Sequence, residues 1–215
     1  YWPTKKNTPT RYGDFIVTVT DIKCPKTYIV ITTCNIEYSP EQSSEFFPLY
    51  VKQLKTLNKE NFTHNVNILH FLAWPDMDIP QTKHFSAFYN VYLNLRQNMK
   101  NILSPIVVHC LAGIGRTGTF IAIDMMLTHL YVIFDVVIHR IKHFFNESIN
   151  ETKKYITQFF YYLPQDLLIT LFPYLLFAIR MGRVGSIQTP DQYLYVHEFT
   201  KVAIQTYFAR AIQEL

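Results

Sequence analysis

The stretch Val108-His109-Cys110-Leu111-Ala112-Gly113-Ile114-Gly115-Arg116-Thr117-Gly118 decides the fold, because it lies between a short apolar run and a long one. The run IVVHC (106–110) is typical of a short buried strand, and TFIAIDMMLTHLYVI (119–133) is typical of a buried helix. The three glycines between them predict a tight turn that aims the helix N-terminus at whatever the loop holds. The sequence therefore predicts a strand–loop–helix unit with a concave loop.

This loop has the composition of a phosphate-binding site that carries a nucleophile. Successive backbone N–H groups form an anion nest, and Arg116 offers a planar fork that matches two phosphate oxygens. The same surroundings favour a thiolate at Cys110, since comparable sites lower a cysteine pKa to about 3.5–7.5. Thr117 is placed to hydrogen-bond the sulfur, and His109 to order the Cys110 backbone. A lone cysteine is by default a small core residue, but that alternative leaves the glycines and the arginine unexplained.

A second chemical group precedes this loop, where VNILHFLAW (66–74) predicts a strand that runs into Trp74-Pro75-Asp76. Transfer of a phosphoryl group needs an acid that protonates the departing oxygen. An aspartate on a loop anchored by Trp74 is suited to deliver that proton when the loop closes. By itself an aspartate after proline indicates only a turn. Asp76 becomes a candidate acid only because the loop at 109–118 has the composition of a phosphate-binding site.

The remaining elements are predicted from periodicity. β-Branched and aromatic residues predict strands over 12–24 and 27–38, and the polar stretch 37–65 indicates a loop or insertion. Apolar residues at helical spacing predict a helix from Phe85 to Met99 and a closing helix from Gln192 to Leu215. The run LLITLFPYLLFAI (167–179) is too short to span a bilayer and contains a proline, so we expect a buried or misfitted helix there.

Composition limits the class of protein. The 215 residues are 49% hydrophobic and include 17 Phe and 15 Tyr, which indicates one folded domain and excludes a disordered chain. A net charge of +4 is too small to indicate nucleic acid binding. Three cysteines without a CxxC pair indicate a reducing compartment. We therefore expect a cytoplasmic domain with neither a nucleic acid nor a membrane partner, while its oligomeric state is not fixed.

The motifs resemble those of the tyrosine-specific protein tyrosine phosphatases. Residues 109–118 match the signature His-Cys-x5-Arg-Ser/Thr-Gly, and Trp74-Pro75-Asp76 is similar to the mobile acid loop of that family. Tyr1-Trp2-Pro3 resembles the segment before the central strands, and Gln188-Thr189-Pro190-Asp191-Gln192-Tyr193 resembles the glutamine loop. Dual-specificity phosphatases share only the Cys-x5-Arg core. In its small size the chain also resembles the phosphatases of insect-parasitoid bracoviruses.

The resemblance implies an α/β fold, with a mixed twisted sheet flanked by helices and the cysteine loop between a strand and a helix. It implies hydrolysis of phosphotyrosine in proteins through a phospho-cysteine, with no metal and no other cofactor. Cys110 would attack, Asp76 would protonate the tyrosyl oxygen, and Arg116 and Thr117 would assist. Gln188 and Gln192 would hold the water of the second step. The substrate-binding residues implied are Trp74, His109, Leu111, Ala112, Gly113, Ile114, Gly115 and Arg116.

Several features depart from the family pattern. Leu111 replaces the usual serine, and Asp78 replaces a glycine in the acid loop. The resemblance implies one catalytic domain over 1–215 that lacks its N-terminal part, including the phosphotyrosine-recognition loop, so we expect little activity from this stretch alone. Residues 131–178 are expected to be an atypical insertion, and their AT-rich codon set suggests a translated intron. Two alternatives stay open: a catalytically inactive phosphotyrosine trap and a non-functional gene remnant.

Overall fold

Strands form in the N-terminal part of the chain, where β-branched and aromatic residues are concentrated. The computed structural model contains a four-stranded sheet in the order β1-β2-β3-β4, built from β1 (Thr10–Tyr12), β2 (Phe15–Lys26), β3 (Ile29–Tyr38) and β4 (Thr63–Phe71). All three pairings are antiparallel, and an isolated parallel bridge joins Lys6 to Val19. The sheet with its flanking helices confirms the α/β class, and β2 and β3 confirm the two predicted strands.

The structure describes residues 2–39, 63–99, 105–145, 148–162 and 164–214, without the side chains of 160–169. Most of the stretch 37–65, predicted as a loop or insertion, lies outside these residues. The predicted strand 66–74 is confirmed with shifted ends, because β4 begins at Thr63 and ends at Phe71. Trp74 therefore lies beyond the strand, at the start of the acid loop.

The first compact unit comprises Tyr1–Ala73 and Lys83–Lys100. The helix predicted from Phe85 is confirmed as α1 (Thr82–Gln97). Its buried face consists of Phe85, Phe88, Tyr89 and Tyr92. The ring of Phe88 stacks on Phe71 of β4, with 4.6 Å between ring centroids, so the aromatic face of the helix packs on the sheet.

The second compact unit comprises Trp74–Thr82 and Asn101–Leu215. Its helices are α2 (Gly115–Phe144), α3 (Ile149–Tyr162), α4 (Pro164–Gly182) and α5 (Pro190–Gln213). The core contains Ile123, Met126 and Leu127 of α2, all fully buried, together with Tyr195 and Val196 of α5. The helices predicted over 119–133 and from Gln192 are confirmed, and α2 extends beyond its predicted end.

The described residues of 131–178 are almost entirely helical, in the second half of α2, all of α3 and most of α4. The helix predicted over 167–179 is confirmed with Pro173 inside it. It is buried on one side, at Phe172 and Leu175, and exposed on the other, at Tyr174 and Phe177. Among the described helices, α2 is long and apolar enough to cross a membrane by length and composition alone. A buried core helix passes the same test, and α2 contributes the core residues named above.

The prediction of a buried strand over 106–110 is wrong. Residues 105–110 have no strand conformation and pair with no strand in the described part of the chain. The side chain of Val107 is 84% exposed. A β-branched run forms a strand only where a neighbouring strand supplies a ladder of hydrogen bonds, and apolar composition alone does not provide one.

Candidate active site

Cys110 lies at the start of a loop that turns back on its sulfur. The backbone N–H of Gly113 donates a hydrogen bond to Cys110 Sγ at 3.2 Å, and Gly113 has φ +72°, which favours glycine. His109 Nδ1 donates to the carbonyl oxygen of Cys110 at 3.3 Å, as the sequence predicts. Helix α2 begins at Gly115, so its N-terminus follows the loop directly. The loop thus directs backbone donors and a helix N-terminus to one place.

The thiol of Cys110 is half-buried, and its pKa is low. Burial opposes ionisation, but hydrogen bonds from the Thr117 hydroxyl and from the N–H groups of Thr117, Gly113 and Ile114 lower the pKa of Cys110 to about 7. In the described part of the chain, the buried Thr117 Oγ1 has no hydrogen bond of normal geometry, so the hydrogen bond to the sulfur with normal geometry is the one from the N–H of Gly113. Near neutral pH a large fraction of Cys110 is therefore thiolate, the reactive form.

Arg116 connects the cysteine loop to the acid loop. Its Nη1 donates to the carbonyl oxygen of Trp74 at 3.2 Å, and its Nη2 forms an ion pair with Asp76 Oδ1 at 2.8 Å. Its Nε is buried and has no hydrogen-bond partner in the part of the chain that the structure describes. The two terminal nitrogens of the guanidinium therefore tie the acid loop to the start of α2.

The acid loop is folded around the carbonyl oxygen of Asp78. Trp74 is buried, and its Nε1 donates to that oxygen at 2.9 Å. The Asp78 carboxylate accepts from the N–H of Ile79 at 2.7 Å, so its charge is turned to its own backbone. The left-handed residue is Met77, with φ +60°, and not Asp78, which replaces the family's glycine. Such strain in a non-glycine residue costs about 1–3 kcal/mol and is concentrated at functional sites.

The two predicted glutamines lie against the cysteine loop. A Cβ built on Gly115 would lie 3.0 Å from Gln188 Oε1 and 3.2 Å from both amide atoms of Gln192. Gln192 is 0% exposed; its Oε1 accepts from the N–H of Gln188 at 2.9 Å, and its Nε2 donates to the carbonyl oxygen of Asp78 at 3.4 Å. Gln192 thus links the glutamine loop to the acid loop, and Gln188 is the exposed member of the pair.

Two arginines that precede the glutamines in the chain contact the site, and the sequence motifs did not identify them. Arg183 Nη2 donates to the carbonyl oxygen of Ala112 at 3.1 Å. Arg180 donates from Nε to the carbonyl oxygen of Ser186 at 3.0 Å and from Nη2 to that of Ile187 at 3.2 Å. The signal was present, since two arginines stand three positions apart, one in the last turn of α4 and one just after it, immediately before the glutamine motif.

The structure therefore brings together most of the residues that the sequence predicted. Members of the second unit linked by the contacts above are Trp74, Asp76, Cys110, Gly113, Gly115, Arg116, Thr117, Gln188 and Gln192. The side chain of Leu111 is 87% exposed, and that of Ala112 is also exposed, so these two residues offer the site only their backbone. A cysteine of low pKa, a guanidinium and a carboxylate in one network have the groups needed for attack on a phosphate ester.

The sequence is similar to those of known proteins. A family model described as protein-tyrosine phosphatase matches residues 1–162. Receptor-type tyrosine-protein phosphatase eta of Gallus gallus is 32% identical over 150 residues, which cover 65% of this chain and 9% of that protein. Tyrosine-protein phosphatase Lar of Drosophila melanogaster is 28% identical over 206 residues, which cover 95% of this chain and 7% of that protein. The chain thus spans a small fraction of the length of these relatives.

A solved structure shares the fold. A chain from work on the "Structural basis of PTPN18 fingerprint on distinct HER2 tyrosine phosphorylation sites" aligns with a TM-score of 0.60 at 20% identity. The alignment covers 97% of this chain and 53% of that one. With the family model matching most of its length, and with the cysteine loop assembled as described, the chain belongs to the protein-tyrosine phosphatase family.

Proposed function

We propose that this domain hydrolyses phosphotyrosine in proteins, with Cys110 as the nucleophile. The observation that carries the proposal is the hydrogen bond from the N–H of Gly113 to the Cys110 sulfur, because the donors of this loop, which would bind phosphate, also lower the pKa of Cys110 to about 7. The named relatives are tyrosine-protein phosphatases, which supports the same reaction for this chain. The chemistry needs no metal, because N–H groups and Arg116 supply the positive charge.

In the first step the Cys110 thiolate attacks phosphorus, and the bond from phosphorus to the tyrosyl oxygen breaks. Asp76 takes up a proton from solvent when it leaves the ion pair with Arg116 and gives it to that oxygen, so tyrosine leaves neutral and the phosphoryl group stays on sulfur. Arg116 exchanges its ion pair with Asp76 for two oxygens of the phosphoryl group, which frees the acid for this transfer. Thr117 stabilises the thiolate before attack and again when sulfur departs.

In the second step water attacks the phospho-cysteine, the bond from phosphorus to sulfur breaks, and inorganic phosphate is released. Asp76, now ionised, takes the proton of the water. Gln188 and Gln192 position that water, and the closeness of both side chains to Gly115 supports this role. The side chain of the buried Gln192 also accepts a hydrogen bond from the N–H of Gln188, which fixes the position of the Gln188 backbone next to the loop.

The proposed setting is the cytoplasm, with phosphotyrosine proteins as partners. All three cysteines, Cys24, Cys34 and Cys110, are free thiols, which is what a reducing compartment preserves. Kinship with the bracovirus phosphatases, the single domain over 1–215 and the insertion over 131–178 stay predictions.

The test is turnover of a phosphotyrosine peptide and of p-nitrophenyl phosphate by the chain, beside Cys110→Ser. We expect the variant to lose turnover and to keep peptide binding, because the N–H groups and Arg116 are unchanged. Activity of the variant above about one per cent of the parent would show that Cys110 is not the nucleophile. Peptide binding by the parent with no turnover at all would instead identify a phosphotyrosine trap.

A further inference from the structure

Ile187 is held in a conformation that isoleucine rarely adopts. Its φ is +61°, and β-branched residues in this region are genuine outliers. The residue is 3% exposed, and its N–H donates to the carbonyl oxygen of Ile114 in the cysteine loop at 3.2 Å. Strain of this kind persists only where the surroundings impose it. The next residue along the chain is Gln188, so the direction of its side chain depends on the conformation of Ile187.

Arg180 binds the backbone on both sides of the peptide that leads into Ile187. Its guanidinium donates to two consecutive carbonyl oxygens, those of Ser186 and Ile187, at 3.0 and 3.2 Å. Both residues are buried, so these carbonyls lie away from competing water. A planar fork that grips two successive carbonyls fixes the peptide between them, which a single-point donor such as lysine does not do. Among the described residues, the hydrogen bonds of Arg180 go to these two carbonyls and do not reach Cys110, Arg116 or Asp76.

We propose that Arg180 is a positioning residue for the second step. By holding Ile187 in the left-handed conformation, it keeps Gln188 against Gly115, where water must attack the phospho-cysteine. The inference rests on the proposed function, since it assigns Arg180 to one step of that reaction. It predicts a separation of the two steps: attack by Cys110 proceeds without Arg180, while release of phosphate from sulfur slows.

The experiment is rapid-mixing kinetics with p-nitrophenyl phosphate, an activated ester, on the whole chain and on Arg180→Ala. We expect the burst rate to stay within about twofold and the steady-state rate to fall about 10- to 100-fold, the cost of a misplaced group. The burst amplitude then approaches one p-nitrophenol per enzyme. The exposed Arg140 of α2 provides the matched control, and Arg140→Ala leaves both phases unchanged.

Rescue distinguishes positioning from a general loss of structure. Glycine adopts positive φ without steric cost, so Ile187→Gly makes the clamp unnecessary. We expect removal of Arg180 to change the steady-state rate by less than about threefold in the Ile187→Gly background, a clear coupling between the two sites. Equal losses of rate in both backgrounds, or a fall of burst and steady-state rates together, would overturn the proposal.

Hydrogen exchange provides a readout that does not need turnover. The N–H of Ile187 bonds to Ile114 and that of Gln188 to Gln192 Oε1, so both amides are protected in the parent. Arg180→Ala should accelerate their exchange about tenfold or more, because local opening becomes easier. Unchanged exchange would overturn the positioning role. If exchange is faster in Arg180→Ala but the parent itself shows no turnover, the proposed function would be overturned instead.

Discussion

Asp76 Oδ1 lies 2.8 Å from Arg116 Nη2, so the proposed acid is paired with the guanidinium that the proposed reaction assigns to phosphate. The Asp76 side chain is largely exposed and that of Arg116 is partly buried. Substrate must therefore displace the carboxylate from the arginine before the acid is free. This competition has consequences for binding as well as for catalysis.

The first consequence concerns affinity for inorganic phosphate. Asp76→Asn removes the competing carboxylate, and an exposed ion pair is worth about 0.2–1 kcal/mol. We expect phosphate to bind about 1.4- to 5-fold more tightly to the variant, measured by isothermal titration calorimetry. Asp78→Asn is the matched control, because that carboxylate is turned to the N–H of Ile79. Equal affinities for Asp76→Asn and the parent would show that the ion pair does not compete with phosphate.

The second consequence concerns the leaving group. Asp76→Ala should slow hydrolysis of a phosphotyrosine peptide by about 10²–10⁴-fold, since tyrosine is a poor leaving group that needs a proton. Hydrolysis of an aryl phosphate with a good leaving group should fall much less. The ratio of kcat/KM for the two substrates measures the difference. Equal losses on both substrates would move the acid role to another residue, with Asp78 the first to test.

The low pKa of Cys110 predicts how its reactivity depends on pH. Alkylation by iodoacetamide, followed on the Cys110 peptide by mass spectrometry, should rise with pH through a midpoint of about 7. Thr117→Val removes a hydrogen bond to the thiolate and should raise the midpoint, while Thr117→Ser keeps the hydroxyl and the midpoint. A midpoint that is the same in Thr117→Val and the parent would contradict the assigned cause.

The lowered pKa of Cys110 also makes the free energy of unfolding depend on pH. The folded-state pKa lies below that of a free thiol, about 8.5, so the contribution of Cys110 is fully present above the unfolded pKa and is lost as pH falls through about 7. The free energy of unfolding of the parent, relative to Cys110→Ala, should therefore increase from pH 6 to pH 9. A difference that does not change over this range would mean that the thiol titrates alike in both states.

The close packing around Gly118 can be tested through the stability of the protein, without an assay of activity. A Cβ at this position would lie 2.7 Å from the backbone N of Ile187 and 2.9 Å from Ser186 Cβ. Gly118→Ala should cost about 1–3 kcal/mol in the free energy of unfolding, measured by urea denaturation, because the backbone of the glutamine loop must move. Gly182→Ala, with open space around it at the end of α4, should be neutral or stabilising by up to about 1 kcal/mol. Equal stabilities would show that the two segments are not packed as described.

Much of this site follows from the sequence because its chemistry is local. The residues 109–118 are consecutive, so glycines, cysteine and arginine specify one loop without knowledge of distant contacts. The helices α1, α2 and α5 follow from strong periodicity. The strand predicted over 106–110 failed because a strand depends on a neighbour that its own residues do not encode.

Other features of the site depend on contacts between distant residues. The clamp of Arg180 on Ser186 and Ile187 exists only because α4 ends where the glutamine loop turns back. The strain at Met77 and Ile187 is likewise imposed by packing, since neither side chain favours positive φ. The sequence predicts which groups react, and the structure adds the contacts that surround those groups.

The most direct test of the account is detection of the phosphoryl group on Cys110. Gln188→Ala is expected to slow the second step, so the intermediate should accumulate when this variant is mixed with p-nitrophenyl phosphate and quenched within one turnover. Mass spectrometry should then find one phosphoryl group on the peptide that contains Cys110, and none on the same peptide from Cys110→Ser. A phosphoryl group on another residue, or turnover of substrate with Cys110 unmodified at every quench time, would contradict the central claim.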